Sequence, residues 1–350
     1  MTTFEQLKCH YDNRKETAQE QHLLGKKVIG YTSNTIPVEL IEAADFFPVL
    51  ISSDKVDLPF ADKYLEPVFD ARIRGIFNSI LAGEWASLDL IIIPRTSEPE
   101  HKLFLYLIEI IRKTDIQGIP PIYFYDLLHT QNEISENYSR SQTVLLKEKL
   151  ETISGKSITN EALKSAIENS NQVRRSIQNL VVLRKEKKVS GVEAMTIIGA
   201  SYFMERKNFV TLTNQFCQEN TERIPSFERR RLLIKGYPSD NLALYKKLEN
   251  DGNIIVAEDD WHGSRCGGNE ISLEGDLLEN VFQKYYANTP SPRLFPYKKT
   301  NEWFEKEALN NIDCVVFYLP PDDDIYGWDY PKQLTFLNEH NIPSILIREI

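Results

Sequence analysis

One arrangement of elements occurs twice along this chain, and it limits the fold more than any single motif does. The first copy opens with an apolar strand at residues 27–31, Lys27-Val28-Ile29-Gly30-Tyr31. A polar turn, Thr32-Ser33-Asn34-Thr35, leads into a helix over 37–44, with Pro37 in the first turn, where its missing N–H is not needed. Further strands are read at 48–51, 88–93 and 121–125. The second copy repeats that order. A strand at 232–237 passes through a turn and N-cap at 238–241 into a helix over 242–250, stopped by Asp251-Gly252. Strands follow at 253–257, 312–318 and 342–347. Ile-Pro introduces the last strand of both copies, at Ile119-Pro120 and Ile342-Pro343.

Short apolar runs separated by helices are the pattern of parallel strands covered on both faces. The expected fold class is α/β, with two similar doubly wound parallel-sheet lobes and a helical segment between them. The expected divisions are an N-terminal helix and connector (1–26), a first α/β lobe (27–131), the helical segment (132–227) and a second α/β lobe (228–350). At 350 residues the chain is long enough to give each lobe a core. In the helical segment, residues 157–161 open one helix, with Leu163, Ala166, Ile167, Val173, Ile177, Leu180 and Val181 at helical spacing. A further helix is read over 191–208. Arg174, Arg175, Arg184, Lys185, Lys187 and Lys188 make this stretch the most basic one, read as a solvated helix face.

The formal net charge of −10 argues against nucleic acid as a partner, because phosphate contacts need clustered cations. No apolar run reaches the ~20 residues that cross a bilayer, so no membrane association is expected. The polar start of the chain lacks the apolar stretch of a signal peptide, and a cytoplasmic location is expected. Cys9, Cys217, Cys266 and Cys314 stand singly, without a CxxC pair, so they read as free thiols rather than zinc ligands. Neither a Walker A motif nor a G-x-G-x-x-G opening a helix is present.

In doubly wound sheets ligands collect at the carboxyl ends of the strands. Ser33, Asn34 and Thr35 lie at such an end, before a helix whose first N–H groups favour an anion or a carbonyl oxygen. A plain N-cap needs the same residue types. Glu258, Asp259, Asp260, Trp261, His262 and Arg265 form the densest polar group at a strand end, where Gly263, Gly267 and Gly268 allow a tight loop. Acid, imidazole and guanidinium together can do acid–base work or hold a thioester and a phosphate. A structural turn with Arg265 paired to a neighbouring acid is the alternative. Arg95 and Ser97 follow the third strand of the first copy; Arg95 either pairs with Glu98, Asp322 or Asp323, or binds an acidic substrate or partner. Residues 320–324 read as an exposed loop, and their adjacent carboxylates are a weak signal for a hard cation. The candidate catalytic residues are thus Ser33, Glu258, Asp260 and His262. The candidate substrate-binding residues are Asn34, Thr35, Arg95, Ser97, Trp261 and Arg265, with no metal ligands.

Three segments carry a resemblance. Residues 36–44, IPVELIEAA, follow the Gly30-Tyr31 strand end as in a strand–turn–"P-x-E-L-I-x-A-A" unit. Residues 255–265, IVAEDDWHGSR, are similar to "V-V-x-D-D-x-x-x-G-S-R". Residues 154–163, with Asn171 and Arg174-Arg175 beyond them, are similar to "G-x-x-I-T-x-E-x-L" and "N-x-x-R". In this order and spacing they resemble the D-component fold of the 2-hydroxyacyl-CoA dehydratase and benzoyl-CoA reductase family, from about Lys27 to Glu349. The resemblance implies two related subunits, 4Fe–4S clusters held on cysteine thiolates, and an ATP-driven activator that injects one electron. It also implies a ketyl radical on a CoA thioester, serving a lyase or reductase of anaerobic metabolism.

Four positions depart from the family's cysteines. They are the helix start Val68-Phe69-Asp70-Ala71-Arg72, the segment Arg95-Thr96-Ser97, the strand end Phe317-Tyr318-Leu319-Pro320, and Pro290-Ser291-Pro292 in place of "P-C-P". Soft sulfur ligands are what hold iron in such clusters. The expected function is therefore a cluster-free subunit, with no cofactor in this chain. It would support a homologous cysteine-bearing partner that carries the 4Fe–4S cluster and acts on an acyl-CoA thioester, with an ATP-dependent activator. The alternative is a member recruited away from redox chemistry, either a metal-free enzyme on a CoA ester or a binding or scaffold protein.

Overall fold

The computed structural model describes residues 1–53, 56–238, 242–259, 263–321, 323 and 325–349, with the backbone alone of Cys266 and Gly267. Helices α1 (Thr3–Asp12) and α2 (Glu16–Leu23) precede β1 (Lys27–Tyr31), α3 (Val38–Ala43) and β2 (Phe46–Leu50). Next come α4 (Pro59–Tyr64), α5 (Ala71–Leu81), β3 (Leu90–Pro94), α6 (Glu98–Lys113) and β4 (Ile122–Tyr125). Then follow α7 (Glu133–Ser154), α8 (Asn160–Lys185), α9 (Gly191–Ala200), α10 (Arg206–Glu219), β5 (Arg230–Gly236), α11 (Ala243–Asn250) and β6 (Asn253–Asp259). The chain ends through α12 (Ser264–Gly267), α13 (Leu277–Ala287), α14 (Lys298–Ala308), β7 (Cys314–Tyr318), α15 (Tyr330–Glu339) and β8 (Ser344–Ile347).

The strands form two four-stranded sheets, ordered β2-β1-β3-β4 and β6-β5-β7-β8. Every pairing is parallel, with Tyr31 opposite Leu50 in one sheet and Gly236 opposite Tyr318 in the other. The expected α/β fold with two similar parallel-sheet lobes is therefore the observed one. In each sheet the first strand lies between the second and third, so the chain leaves it once to either side. That switch opens a crevice at the carboxyl ends, beyond β1 and β3 and beyond β5 and β7. The central strands are apolar on both faces because helices cover both. All five residues of β3 are buried, as are the last five of β5. Gly236 closes β5 with φ +133°, where an added Cβ would run into the Tyr318 carbonyl oxygen of the neighbouring strand.

The chain divides into two units that do not follow its linear order. One holds residues 13–171 and 269–295; the other holds 1–12, 172–268 and 296–350. In the first, the segment 269–295 joins the unit of the β1–β4 sheet, with α13 packed on α7, although its number places it among the elements of the second copy. Asn171 fixes its start, accepting from the Ile271 N–H (2.9 Å) and donating to the Ile271 carbonyl (2.8 Å). Further along, Gln131 N–H donates to the Phe295 carbonyl (2.7 Å), and Phe295 N–H to the His129 carbonyl (3.0 Å). In the second unit, α1 packs on α9 and α10, where buried Leu7 joins the core and Thr3 donates to Glu219 (2.8 Å).

Three local readings change. The helix expected over 191–208 is two, α9 and α10. Ser201 turns its hydroxyl back to the Ile198 carbonyl (2.6 Å), and Glu205 caps the next helix by accepting from Asn208 N–H (3.4 Å). The single N-terminal helix is likewise two, α1 and α2, which fall in different units. The basic stretch is not simply a solvated face. Arg184 has no exposed surface and Lys187 has 8%. Buried cations persist only with partners, and Arg184 has Glu258 while Lys187 donates to the carbonyls of Phe227 (2.7 Å) and Arg229 (3.2 Å). Of the turn at 238–241, residues 239–241 lie outside the described residues. No helix among the described residues is long and apolar enough to cross a membrane.

Candidate functional site

In the unit of the first sheet, the chain turns at the carboxyl ends of β1 and β3 bring polar side chains into one buried group. β1 ends in Thr32, Ser33, Asn34 and Thr35, and β3 in Arg95, Thr96 and Ser97. Ser97 is the N-cap of α6, accepting from Glu100 N–H (3.4 Å) and donating its hydroxyl to the Glu100 carboxylate (3.3 Å). Glu100 has no exposed surface. Its carboxylate accepts from the Thr32 hydroxyl (3.3 Å) and from Arg72 (3.3 Å) in the first turn of α5. Arg72 also donates to the Thr32 carbonyl (3.0 Å), so one guanidinium ties the α5 start to the β1 turn. The Thr35 and Thr96 hydroxyls bond to each other. The returning segment closes the group: Ser291 donates to the Thr96 carbonyl (3.0 Å), and Asn34 donates to the Pro290 carbonyl (3.1 Å). Burial pushes the Glu100 carboxyl up to about 7, against the pull of Arg72. Arg95, a quarter exposed, pairs with Asp126 (3.3 Å) rather than with Glu98, which is taken by Arg293 (2.8 Å).

In the other unit, the ends of β5 and β6 hold a second buried charge group. Glu258 ends its side chain against Arg184 of α8, and accepts from the N–H (2.5 Å) and hydroxyl (2.6 Å) of Ser264. Asp259 lies 3.0 Å from Lys235 Nζ and 2.5 Å from Arg265 Nη1. Burial alone would raise the Asp259 carboxyl, but the two cations outweigh it and hold it below the usual range. The Arg265 guanidinium also stacks on Trp303 at 4.4 Å. Burial, with Asp329 beside it, pushes the Tyr297 hydroxyl upward.

Sequence reasoning thus reached Ser33, Asn34, Thr35 and Ser97 in the first group, and Glu258 and Arg265 in the second. Asp260, Trp261 and His262 lie outside the described residues, as do Asp322 and Asp324; Asp323 accepts from the N–H groups of Tyr326 (2.9 Å) and Gly327 (2.7 Å). It did not reach Glu100, Arg72, Arg184 or Lys235. Two of these left a signal. Ser97-x-x-Glu100 before an apolar run has the spacing of a capping box, and Lys235 is a lone charge in an otherwise apolar strand.

The group at the first sheet was tested against the 4Fe–4S cluster that the resemblance implies. Its donors are hydroxyls, one carboxylate and one guanidinium. The unit of residues 13–171 and 269–295 contains no cysteine. Cys217 and Cys314 are buried singly in the other unit, and Cys9 is exposed on α1. Iron in such clusters is held by thiolates, so these residues do not fit the group.

Comparison with known proteins settles the family. The family model of the 2-hydroxyglutaryl-CoA dehydratase D-component matches residues 34–348. The chain belongs to this family. It is 26% identical over 347 residues to the (R)-phenyllactyl-CoA dehydratase beta subunit of Clostridium sporogenes, covering 95% of this chain and 89% of that one. It is 25% identical over 341 residues to one of the subunits of benzoyl-CoA reductase from Thauera aromatica (91% and 84%). It is 22% identical over 340 residues to the (R)-2-hydroxyglutaryl-CoA dehydratase beta subunit of Acidaminococcus fermentans (92% and 87%). The segments that carried the resemblance have structural work in this family member. Pro37 to Ala44 supply α3 and its cap, Asn171 pins residue 271, and Ser264-Arg265 bind the acids that end β6.

Proposed function

We propose that this chain is a cluster-free subunit of a 2-hydroxyacyl-CoA dehydratase- or benzoyl-CoA reductase-like complex. It supports a homologous, cysteine-bearing partner subunit that carries the 4Fe–4S cluster and acts on an acyl-CoA thioester in the cytoplasm. An ATP-dependent activator serves the complex. The relatives named above are all subunits by name, and their similarity runs through nearly the whole chain. The observation that carries the cluster-free reading is the Arg72–Glu100 group. Ser97, Ser291 and the start of α5 stand at three of the four positions where the resemblance places cysteines, and in this chain they join an ion pair and a set of hydroxyls. A guanidinium bonded to a carboxylate and a carbonyl fills that space and leaves no soft donor there.

Most candidate groups are already committed to protein partners. Thr35, Asn34 and Ser97 hold the turns together, and Arg265 is shared between Asp259 and Trp303. Arg95 is also paired, with Asp126, but that pair is partly exposed, and Arg95 is the residue assigned to an anionic part of a substrate or partner. Co-expression with the homologous cysteine-bearing subunit tests the reading. The expected result is a heteromer that elutes as one species and converts an acyl-CoA only when both chains are present. A stable homo-oligomer that ignores that subunit would instead favour the repurposed metal-free enzyme or scaffold.

A further inference from the structure

The second unit carries a basic cleft well away from its own charge group at the strand carboxyl ends. Its volume is about 400 Å³, within the size range of small-ligand pockets. It lies at the amino ends of the strands, where Arg229 leads into β5 and Ile254 is the second residue of β6. Along β6 that is roughly 17 Å from Asp259, at about 3.3 Å per residue.

Five cations face this cleft: Lys187, Lys188, Arg223, Arg229 and Lys246. Two carboxylates oppose them, Glu193 and Glu249. Glu249 is consumed by the backbone, accepting from the N–H groups of Gly191 (2.6 Å), Val192 (3.2 Å) and Ile255 (3.1 Å). Glu193 closes the capping box of α9 and pairs with Arg223 (2.8 Å), which is 45% exposed. Lys188 pairs with Glu186 (2.8 Å) at the rim. Exposed pairs of this kind are worth little and open readily for a stronger anion. Lys246 is exposed on α11. Lys187 and Arg229 are pre-set by the main chain, Lys187 on two loop carbonyls and Arg229 on the Asn253 carbonyl (3.3 Å). A cluster of this sign in a chain of net charge −10 is not the general surface.

We propose that this cleft binds a compact polyanion bearing two or more phosphate groups. Arg223 and Arg229 offer forked donors for phosphate oxygens, and the lysines add point charges around them. The apolar part of the lining is Val192 and Ile254, and it contains no aromatic side chain among the described residues. The ligand class is a small di- or triphosphate, which the cations alone can hold; the exposed Phe227 ring beside Lys187 is a surface near the cleft on which a base could stack, and the test below separates the two.

The test is calorimetric titration of the full chain with inorganic pyrophosphate at fixed ionic strength, repeated with orthophosphate, with a nucleoside diphosphate and with an oligoglutamate peptide. The Lys188→Gln/Lys246→Gln double variant changes two rim residues outside the core and outside both strand-end groups. The expected result is saturable one-to-one binding of pyrophosphate. It should weaken at least about tenfold in the double variant, the scale of two charge-assisted contacts, with the ligand-free Tm unchanged. No saturable binding, or equal binding by the variant, overturns the site. Orthophosphate binding as tightly as pyrophosphate overturns the polyanion class, and tighter nucleoside diphosphate binding overturns the choice of a ligand without a base. Tighter peptide binding overturns the phosphate ligand and assigns the cleft to an acidic protein partner instead. None of these outcomes depends on iron or on a second subunit.

Discussion

Glu100 gathers the consequences of the first buried group on one titrating side chain. Its folded-state carboxyl is raised by burial from the ordinary 4.5 to about 7. A carboxylic acid raised in this way favours the folded state at low pH, and that contribution is lost as pH climbs through the folded value. Between pH 4.5 and 7 the loss is roughly 3 kcal/mol, at about 1.36 kcal/mol for each pH unit between the two values. Glu100→Gln keeps the shape of the protonated acid and cannot ionise. In urea unfolding at pH 5, 6, 7 and 8, the wild type should lose about that much stability and the variant much less. Parallel curves would place the pH dependence on other groups. The Ser97-x-x-Glu100 spacing was legible in the sequence, but its meaning was not. The sequence shows a cap; the packing of α5 against α6 is what adds Arg72 to the same carboxylate. Arg184 was misread for the same reason. Its neighbours in sequence are further cations, which read together as a charge run, while Glu258, its neighbour in space, belongs to a strand read separately.

At the scale of elements the repeat was sufficient. Runs such as Ile91-Ile92-Ile93 and Val315-Val316-Phe317 are long enough to be strands and too short to be helices, and parallel pairing follows from the helices between them. What stayed hidden was the destination of α13. Its apolar face has the same period wherever it packs, so nothing in residues 277–287 announces that they join the first sheet's unit. The end of β5 was read one residue late, at Tyr237 rather than Gly236, and Gly236 gives a measurable contrast. Gly236→Ala meets both an unfavourable φ and the Tyr318 carbonyl, whereas Gly252, at φ +81°, has nothing within 4 Å of an added Cβ. Gly252→Ala should cost about 1 kcal/mol, and Gly236→Ala more than about 2 kcal/mol, by thermal or urea unfolding. Equal costs would mean that the β5–β7 edge yields at Gly236.

For the whole molecule, the family assignment, the pair of sheets and the missing thiolates are what support the proposal of a subunit that gives shape rather than electrons. Each of its two units buries an ion pair near the carboxyl ends of its strands, Arg72 of α5 with Glu100 of α6 in one and Arg184 of α8 with Glu258 of β6 in the other. Such pairs are costly to break by removing one partner, about 3–5 kcal/mol for a buried charge left alone. Both groups are therefore expected to tolerate paired replacement better than single replacement. The measurement that bears most directly on the proposed role is iron and acid-labile sulfide per chain after anaerobic purification, on the isolated chain and on its complex with the homologous subunit. The expected result is neither iron nor sulfide in the isolated chain and both in the complex. Iron and sulfide bound to the isolated chain would contradict the cluster-free role, and their absence from both samples would remove the radical mechanism from the complex.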